Sequence, residues 1–499
     1  MKKIISILCL AAMLLPFVCM VSCGSQAPSS NDEDTPSVND AETQTPSGNE
    51  DKAPGGDTSQ SDGNATDTET DTDSDADTDA DTDTDTDTDS DDKSEDKNIS
   101  GLPPYSGPAF DEKTPAIYIE TEKGASIPAN KSEVNCTISL RSNQYDQCAD
   151  NLVATIRTRG NGSLNAAQSV GKLPYKIKFR NKVNPFMLGD GKASDWVLLD
   201  HVGEQTMLRN YAARLLGDML SGIPYSTNSR LVNVYLNGSY IGVYELAEQV
   251  EVGKYRIDID DDCAGAENGF LVELDAYASD LYVSVGGQNY TVKSHVYSDA
   301  QLEFIREYLE QVDSAIYSEN VSQLVKLVDI NSLVDMYIVQ EYAKNIDVGW
   351  SSFYMYRDVG GKLTFAPPWD FDLSFGNDDR LDGGSYKGIY VGSDRGMMQD
   401  HRWYNALWRQ DWFRKLVVKR WKEVSKNIIP ELIRAVRLAS FEISADMQKN
   451  YTRWKILGQK RHQEPVAIYK LTTYKQHVDY LITWMENRKA WLDNEFASY

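Results

Sequence analysis

Apolar and polar positions alternate most clearly in Pro174-Tyr175-Lys176-Ile177-Lys178-Phe179. A period of two puts Ile177 and Phe179 on one face of a strand and Lys176 and Lys178 on the other. Two cations therefore project together, shortly after the glycine-bearing turn Arg157-Thr158-Arg159-Gly160-Asn161-Gly162-Ser163. Shorter apolar runs predict strands at residues 116–120, 134–140 and 153–157. The spacing of Leu208, Ala212, Leu215, Leu216 and Met219 predicts an amphipathic helix over residues 205–220. Runs at 231–236 and 240–246 flank Asn237-Gly238, and Asn-Gly takes the positive dihedrals of a tight hairpin turn. Helical spacing prevails afterwards. Leu302, Ile305, Leu309, Val312 and Ile316 mark one helix, and Leu333, Met336, Tyr337 and Tyr342 a second that ends near Lys344. Asn345-Ile346-Asp347 follows, then a hairpin at 353–357 and 362–365 around Gly360-Gly361, which exits into Pro367-Pro368-Trp369-Asp370-Phe371-Asp372. Asp347 and Asp370 thus flank one antiparallel pair, whose open ends bring two carboxylates to one edge. Trp403, Leu407, Trp408, Trp412, Phe413, Leu416 and Val417 recur at helical spacing and predict core of the second half.

Charge changes this picture mainly at the N-terminus. The 499 residues carry a formal charge of −26, but residues 24–97 alone hold 25 acidic and three basic side chains, leaving −6 for residues 98–499. The sequence offers no basic patch of the kind that binds phosphate backbones, which argues against a nucleic-acid partner. The acidic stretch is built from Ser, Thr, Gly, Pro and Asp and culminates in alternating Asp and Thr from Asp71 to Asp89. Such a composition cannot bury enough apolar surface to offset chain entropy, so residues 24–100 are expected to form a disordered, acidic, solvated linker. Weak calcium binding by its Asp-x-Asp repeats lacks the glycines and terminal Glu of an EF-hand loop. Ahead of it, Lys2 and Lys3 precede an apolar stretch over residues 4–21, and Met20-Val21-Ser22-Cys23 ends it. That order is the order of a secretory signal over residues 1–23. Its end resembles a bacterial lipobox, which implies lipidation at Cys23 and an exported lipoprotein held to the membrane by its acyl chains. Beyond Cys23 only Cys136, Cys148 and Cys263 remain. Three thiols cannot all pair within one chain, leaving either a Cys136–Cys148 bridge or three free thiols. No Cys-x-x-Cys occurs, against a zinc ribbon or a redox dithiol. The 402 residues after position 97 suffice for two lobes.

A glycine turn, a lysine strand and two loop aspartates are the parts that phosphoryl transfer uses, since that chemistry depends on positioning and charge neutralisation. Asp347 would be the base, Asp370 a magnesium ligand, and Lys176 or Lys178 a phosphate contact, with water and phosphate completing the metal's shell. Other reaction classes find less support. None of His201, His295, His401, His462 and His477 forms a His-Glu-x-x-His pair, and neither a Gly-x-Ser-x-Gly elbow nor a Walker loop is present. Paired carboxylates also serve glycosidases, and sequence does not give their separation.

Taken together, Arg159-Gly160-Asn161 and the runs 174–179, 196–199, 206–210, 233–250 and 368–376 resemble the CotH kinase family, the bacterial spore coat protein H type of secreted atypical kinase, over roughly residues 115–425. The resemblance implies an α+β, bilobal, protein-kinase-like fold within residues 101–499, with a β-rich N-lobe at about 115–250 and a mainly helical C-lobe at about 251–499. It implies ATP and Mg2+ as cofactors, and Ser or Thr of a surface or spore-coat-type protein as acceptor. By position it implies Asp347 as the catalytic aspartate and Asp370 as the metal aspartate, with the lysine open between Lys176 and Lys178; Arg159, Gly160, Asn161 and Glu248 are further candidate nucleotide contacts, and Asp372 is a further candidate at the metal. Three departures from the common kinase pattern stand out. No His-Arg-Asp precedes Asp347, and Ser352 occupies the place of a metal-binding Asn. The predicted helix over 205–220 also lacks a central glutamate, so Glu204, Asp218, Glu245 and Glu248 all compete as the lysine's acidic partner. The rival expectation is a non-catalytic adhesion or scaffolding module, because ATP is scarce outside a cell.

Overall fold

A computed structural model describes residues 100–499. The expected signal, the lipobox-like end at Cys23 and the expected acidic linker, up to residue 99, lie outside the described residues. The first seven strands are β1 (Ala116–Thr121), β2 (Val134–Arg141), β3 (Ala149–Thr158), β4 (Tyr175–Val183), β5 (Ala193–Leu199), β6 (Ser229–Leu236) and β7 (Ser239–Glu248). They close into a barrel in the order β1-β2-β3-β4-β5-β7-β6, antiparallel throughout except where β1 lies parallel to β6. Ile117, Ile138, Ile177, Phe179, Trp196 and Val234 fill its interior. The alternation in β4 therefore holds, with Ile177 and Phe179 inside the barrel. Asn237 and Gly238, at φ 48° and 72°, make the turn between β6 and β7. Two helices are inserted: α1 (Gly162–Val170) directly after the glycine turn, and α2 (Arg209–Met219) between β5 and β6. The second begins four residues later than its apolar spacing predicts. The Glu204 carboxylate accepts the N–H groups of Thr206 at 2.9 Å and Leu208 at 3.0 Å, so residues 204–208 form a turn around that side chain.

A second sheet follows, with β8 (Phe270–Leu274), β9 (Tyr282–Val285), β10 (Gln288–Val292), β11 (Phe353–Arg357) and β12 (Thr364–Phe365) in the order β12-β11-β8-β10-β9. Three of these strands interrupt a region whose spacing predicts helices. Every residue of β8 is buried, so it shows no alternation to read. The remaining helices of seven or more residues are α3 (Asp299–Tyr317), α4 (Val321–Leu327), α5 (Ile330–Ala343), α6 (Arg402–Trp408), α7 (Asp411–Asn427), α8 (Ile429–Arg453) and α9 (Tyr474–Phe496), with a single turn at Val466–Tyr469. Side-chain caps start several of them: Ser298 accepts from Gln301 N, Asp329 from Ser332 N, and Thr473 forms a capping box with Gln476. At the other end of α5, Lys344 turns left-handed, φ 50°, and stops the helix where the sequence predicts. Trp403, Leu407, Phe413 and Val417 are fully buried in the main core, as their spacing predicts, whereas Leu416 faces solvent. Arg488 of α9 is fully buried. It pairs with Glu341 of α5 at 2.7 Å and donates to the carbonyls of Tyr386 and Gly388 at 2.8 Å, while Glu341 accepts the N–H groups of Tyr390 and Val391 at 2.8 Å.

The molecule is thus α+β, β-rich in its N-terminal region and helical in its C-terminal region. Cys136, Cys148 and Cys263 are free thiols. Among the described residues, no helix is long and apolar enough to cross a membrane.

Candidate active site

Asp347 lies three residues beyond the left-handed end of α5, and its N–H is taken by Asn345 Oδ1 at 3.2 Å. Its two carboxylate oxygens differ. Oδ2 accepts from Arg380 Nη2 at 2.9 Å, whereas Oδ1 is buried without a hydrogen-bond partner. Burial pushes this carboxyl above the usual Asp range; Arg380 pulls it down and the charge of Asp370 pushes it up again. Asp370 leaves the β11–β12 hairpin with φ 64°, is exposed, and accepts from Ser352 Oγ at 3.2 Å. Two residues on, Asp372 has its carboxyl driven well above the usual range by burial, by the charge and hydrogen bond of Asp370, and by the charges of Asp347 and Glu204. The three aspartates therefore share one electrostatic neighbourhood at the junction of α5 and the hairpin exit.

The Asp-Phe-Asp loop is clamped from two sides. Asn210 Oδ1 takes the Phe371 N–H at 2.5 Å and Arg209 Nε donates to the Ser374 carbonyl at 3.1 Å, both from the first turn of α2. The Phe375 N–H bonds the Ala343 carbonyl at 2.7 Å, from the last turn of α5. Fully buried Glu204 fixes Arg209 in turn: burial opposes its charge, but Arg209, His201 and Thr206 outweigh it and hold the carboxyl low.

The lysine strand supplies the other wall. Lys176 Nζ stands 3.2 Å from Asp195 Oδ1 on β5, both side chains largely buried. The acid beside Lys176 is thus a strand neighbour, whereas Glu245 and Glu248 are engaged elsewhere. Glu245 pairs with Arg214 of α2 and with His201 Nε2 at 2.8 Å; burial works against its charge, yet these partners bring the carboxyl down to about 2. Glu248 is buried at the barrel end and accepts from Asn228 N at 2.7 Å, Asn228 Nδ2 at 3.0 Å and Tyr225 OH at 3.2 Å. Lys178 lies half-buried opposite Asp195, and Lys176 opposite Val197, whose next neighbour across the barrel is Ala247. Val197 and Ala247 share an apolar cluster with Trp369, the residue before Asp370. The barrel face that bears Lys176 therefore abuts the metal-loop candidate. The glycine turn is tied down differently. Gly160 takes φ 89°, the Arg159 N–H bonds the Pro174 carbonyl at 3.2 Å, and Asn161 Oδ1 accepts from Lys131 Nζ at 3.1 Å. These bonds reach Pro174, just before β4, and Lys131, not the aspartates.

A family model described as CotH kinase protein matches residues 156–492. The chain belongs to the CotH kinase family. No curated protein matches it. The CotH match runs from the end of β3 nearly to the end of α9, so it includes the glycine turn, the lysine strand and all three aspartates. It begins later and extends further than the resemblance at roughly 115–425.

Within this CotH domain, no three His, Cys, Asp or Glu side chains among the described residues are grouped tightly enough to hold a metal ion by themselves. The donor set nonetheless fits a hard divalent cation, which is usually bound through one or two carboxylates with water and phosphate. Beside the Asp-Phe-Asp loop, Asn377 Oδ1 is buried without a hydrogen-bond partner, and the Asp372 carboxyl sits among like charges that a cation would relieve. The pattern of residues in the sequence did not single out Asn377 or Arg380. Arg380 donates to both Asp347 and Asp378, and Asn377 Nδ2 donates to the carbonyls of Gly203 and Asp372, each at 2.8 Å. The available signal was position: Asn377 directly follows the 368–376 run that carries the resemblance.

Proposed function

We propose that this CotH family member is an exported, lipid-anchored kinase that transfers the γ-phosphoryl group of ATP to a Ser or Thr hydroxyl of a surface or spore-coat-type protein. In this reading the barrel acts as the N-lobe of a bilobal kinase-like enzyme and the helical region as its C-lobe. The observation that carries it is the convergence of Asp347, Asp370 and Asp372 beside the barrel face that bears Lys176.

Asp347 would work through its unpartnered Oδ1. Arg380 holds Oδ2, so the carboxylate is oriented and the second oxygen is left to take the acceptor's proton. As the acceptor oxygen bonds to the γ-phosphorus, the bond from that phosphorus to the β–γ bridging oxygen breaks and ADP leaves. Asp370 and Asp372 would hold Mg2+, which supplies neutralisation of the phosphate charge. Lys176 or Lys178 would reach phosphate oxygens from the barrel, with Arg159, Gly160 and Asn161 as the turn over the nucleotide. Glu248, already bonded to Asn228 and Tyr225, would support that wall from behind.

The test uses the full chain, ATP and Mg2+, with calorimetry for binding and phosphate incorporation for turnover. Asp347→Asn is expected to keep nucleotide binding and to lose about 10²–10⁴-fold in incorporation, the usual range for a positioned acid–base group. Asp370→Asn is expected to lose Mg2+-dependent binding. Nucleotide binding with no incorporation in the unsubstituted protein, across candidate surface proteins, would favour the scaffolding module over the enzyme.

A further inference from the structure

Asn377 is a side chain with half of its hydrogen-bonding capacity saturated and half left over. It is fully buried, and its Nδ2 donates to the Gly203 and Asp372 carbonyls at 2.8 Å each. Those two bonds fix the orientation of the amide, because the flipped form would press Oδ1 against two carbonyl oxygens. Oδ1 must then lie on the other side, where it is buried without a hydrogen-bond partner. A buried amide oxygen is ordinarily satisfied by a donor, an ordered water or a cation. Here it belongs to a residue bonded to the backbone of Asp372, whose carboxyl already feels Asp370, Asp347 and Glu204. The surroundings are rich in acceptors, which is the setting a cation resolves.

We infer that Asn377 Oδ1 is a ligand of the divalent cation held by Asp370 and Asp372. The assignment makes up the donor set that the carboxylates alone do not provide, and it places the amide five residues after Asp372, not at Ser352 beyond Asp347. Oxygen from a neutral amide also adds no charge to an acidic site, so it lets two carboxylates and phosphate oxygens share one ion without further repulsion. The inference rests on the kinase reading only for the presence of a metal.

Mn2+ alone is the probe, titrated by electron paramagnetic resonance into the full chain, with a thermal melt of each metal-free variant alongside. Asn377→Ala removes both halves of the amide, whereas Asn377→Asp keeps an oxygen and removes the Nδ2 donors. A ligand role predicts at least tenfold weaker Mn2+ binding in Asn377→Ala and binding at least as tight as the unsubstituted chain in Asn377→Asp. Equal weakening of both would assign the residue a scaffold role through Nδ2 and overturn the inference, as would unchanged affinity in Asn377→Ala. If Asn377→Ala does not fold, Asn377→Asp decides: a tenfold loss overturns the assignment. Absence of Mn2+ binding in the unsubstituted chain would remove the metal and the kinase reading together, whereas binding there that ignores Asn377→Ala sinks this inference alone.

Discussion

Asp372 sits where ionisation is opposed by burial and by the charges of Asp370, Asp347 and Glu204. Its folded-state pKa is raised, so its contribution to stability is complete below the unfolded value and is lost as pH rises through the raised one. At neutral pH and without metal the carboxylate therefore weakens the fold. Asp372→Asn is expected to stabilise the metal-free protein by about 1 kcal/mol at pH 7, the scale typical of relieving a strained functional site, and the gain should vanish near pH 4. Melting curves in a chelator test this; a lower melting temperature at pH 7 would mean that the charge is already compensated. Asp347 is raised too, with Arg380 as the opposing influence. Replacing Arg380 with Gln should shift the acid limb of the pH–rate profile upward by about one unit, given the 1–3 units by which a neighbouring Arg lowers an Asp. An unmoved limb would detach Arg380 from the titration of Asp347. Both aspartates could be named from sequence because each follows a recognisable element. Arg380 and Asn377 could not, since their roles depend on bonds to residues 33 positions away in one case and 174 in the other.

Helix α2 joins the barrel to the aspartate loop. Its Arg209 and Asn210 hold residues 371–374, and its Arg214 pairs with Glu245 of β7 while lying 4.8 Å over the Trp369 ring. The apolar spacing of this helix was legible, and so was its lack of a central acid. What the spacing did not show is that the helix carries the cation and the strand the acid, because the partner lies 31 positions away. Arg214→Met would leave Glu245 ionised and buried with only His201 and the Ser229 side chain beside it. Breaking one half of a buried pair costs about 3–5 kcal/mol, so urea denaturation should show a loss of that size, and Arg214→Met combined with Glu245→Gln should recover much of it. Equal losses in the single and double variants would mean that the pair is not coupled. The stabilisation from Glu245 is present above the unfolded Glu value and disappears as pH falls through about 2. The lysine strand and both hairpins were readable for the opposite reason, since an alternation or an Asn-Gly turn is local. β8 was not, because a strand buried on both faces has lost that signature.

At the scale of the molecule, the sequence carried the division into a β-rich first part and a helical second part. It did not carry the closure of the barrel, which depends on β1 lying parallel to β6 across more than a hundred residues of intervening chain. The resembling motifs stop near residue 425, but the C-lobe expected from sequence runs to about 499 and takes in α9, and the family match reaches residue 492 within that helix. That last helix supplies Arg488, whose guanidinium joins Glu341 of α5 to the carbonyls of Tyr386 and Gly388. Glu341 precedes Asp347 by six residues, so the loop that carries Asp347 is braced by a side chain from α9. Translation that stops anywhere before Arg488 therefore yields a product in which buried Glu341 has lost its cationic partner, and the loop it braces is never locked.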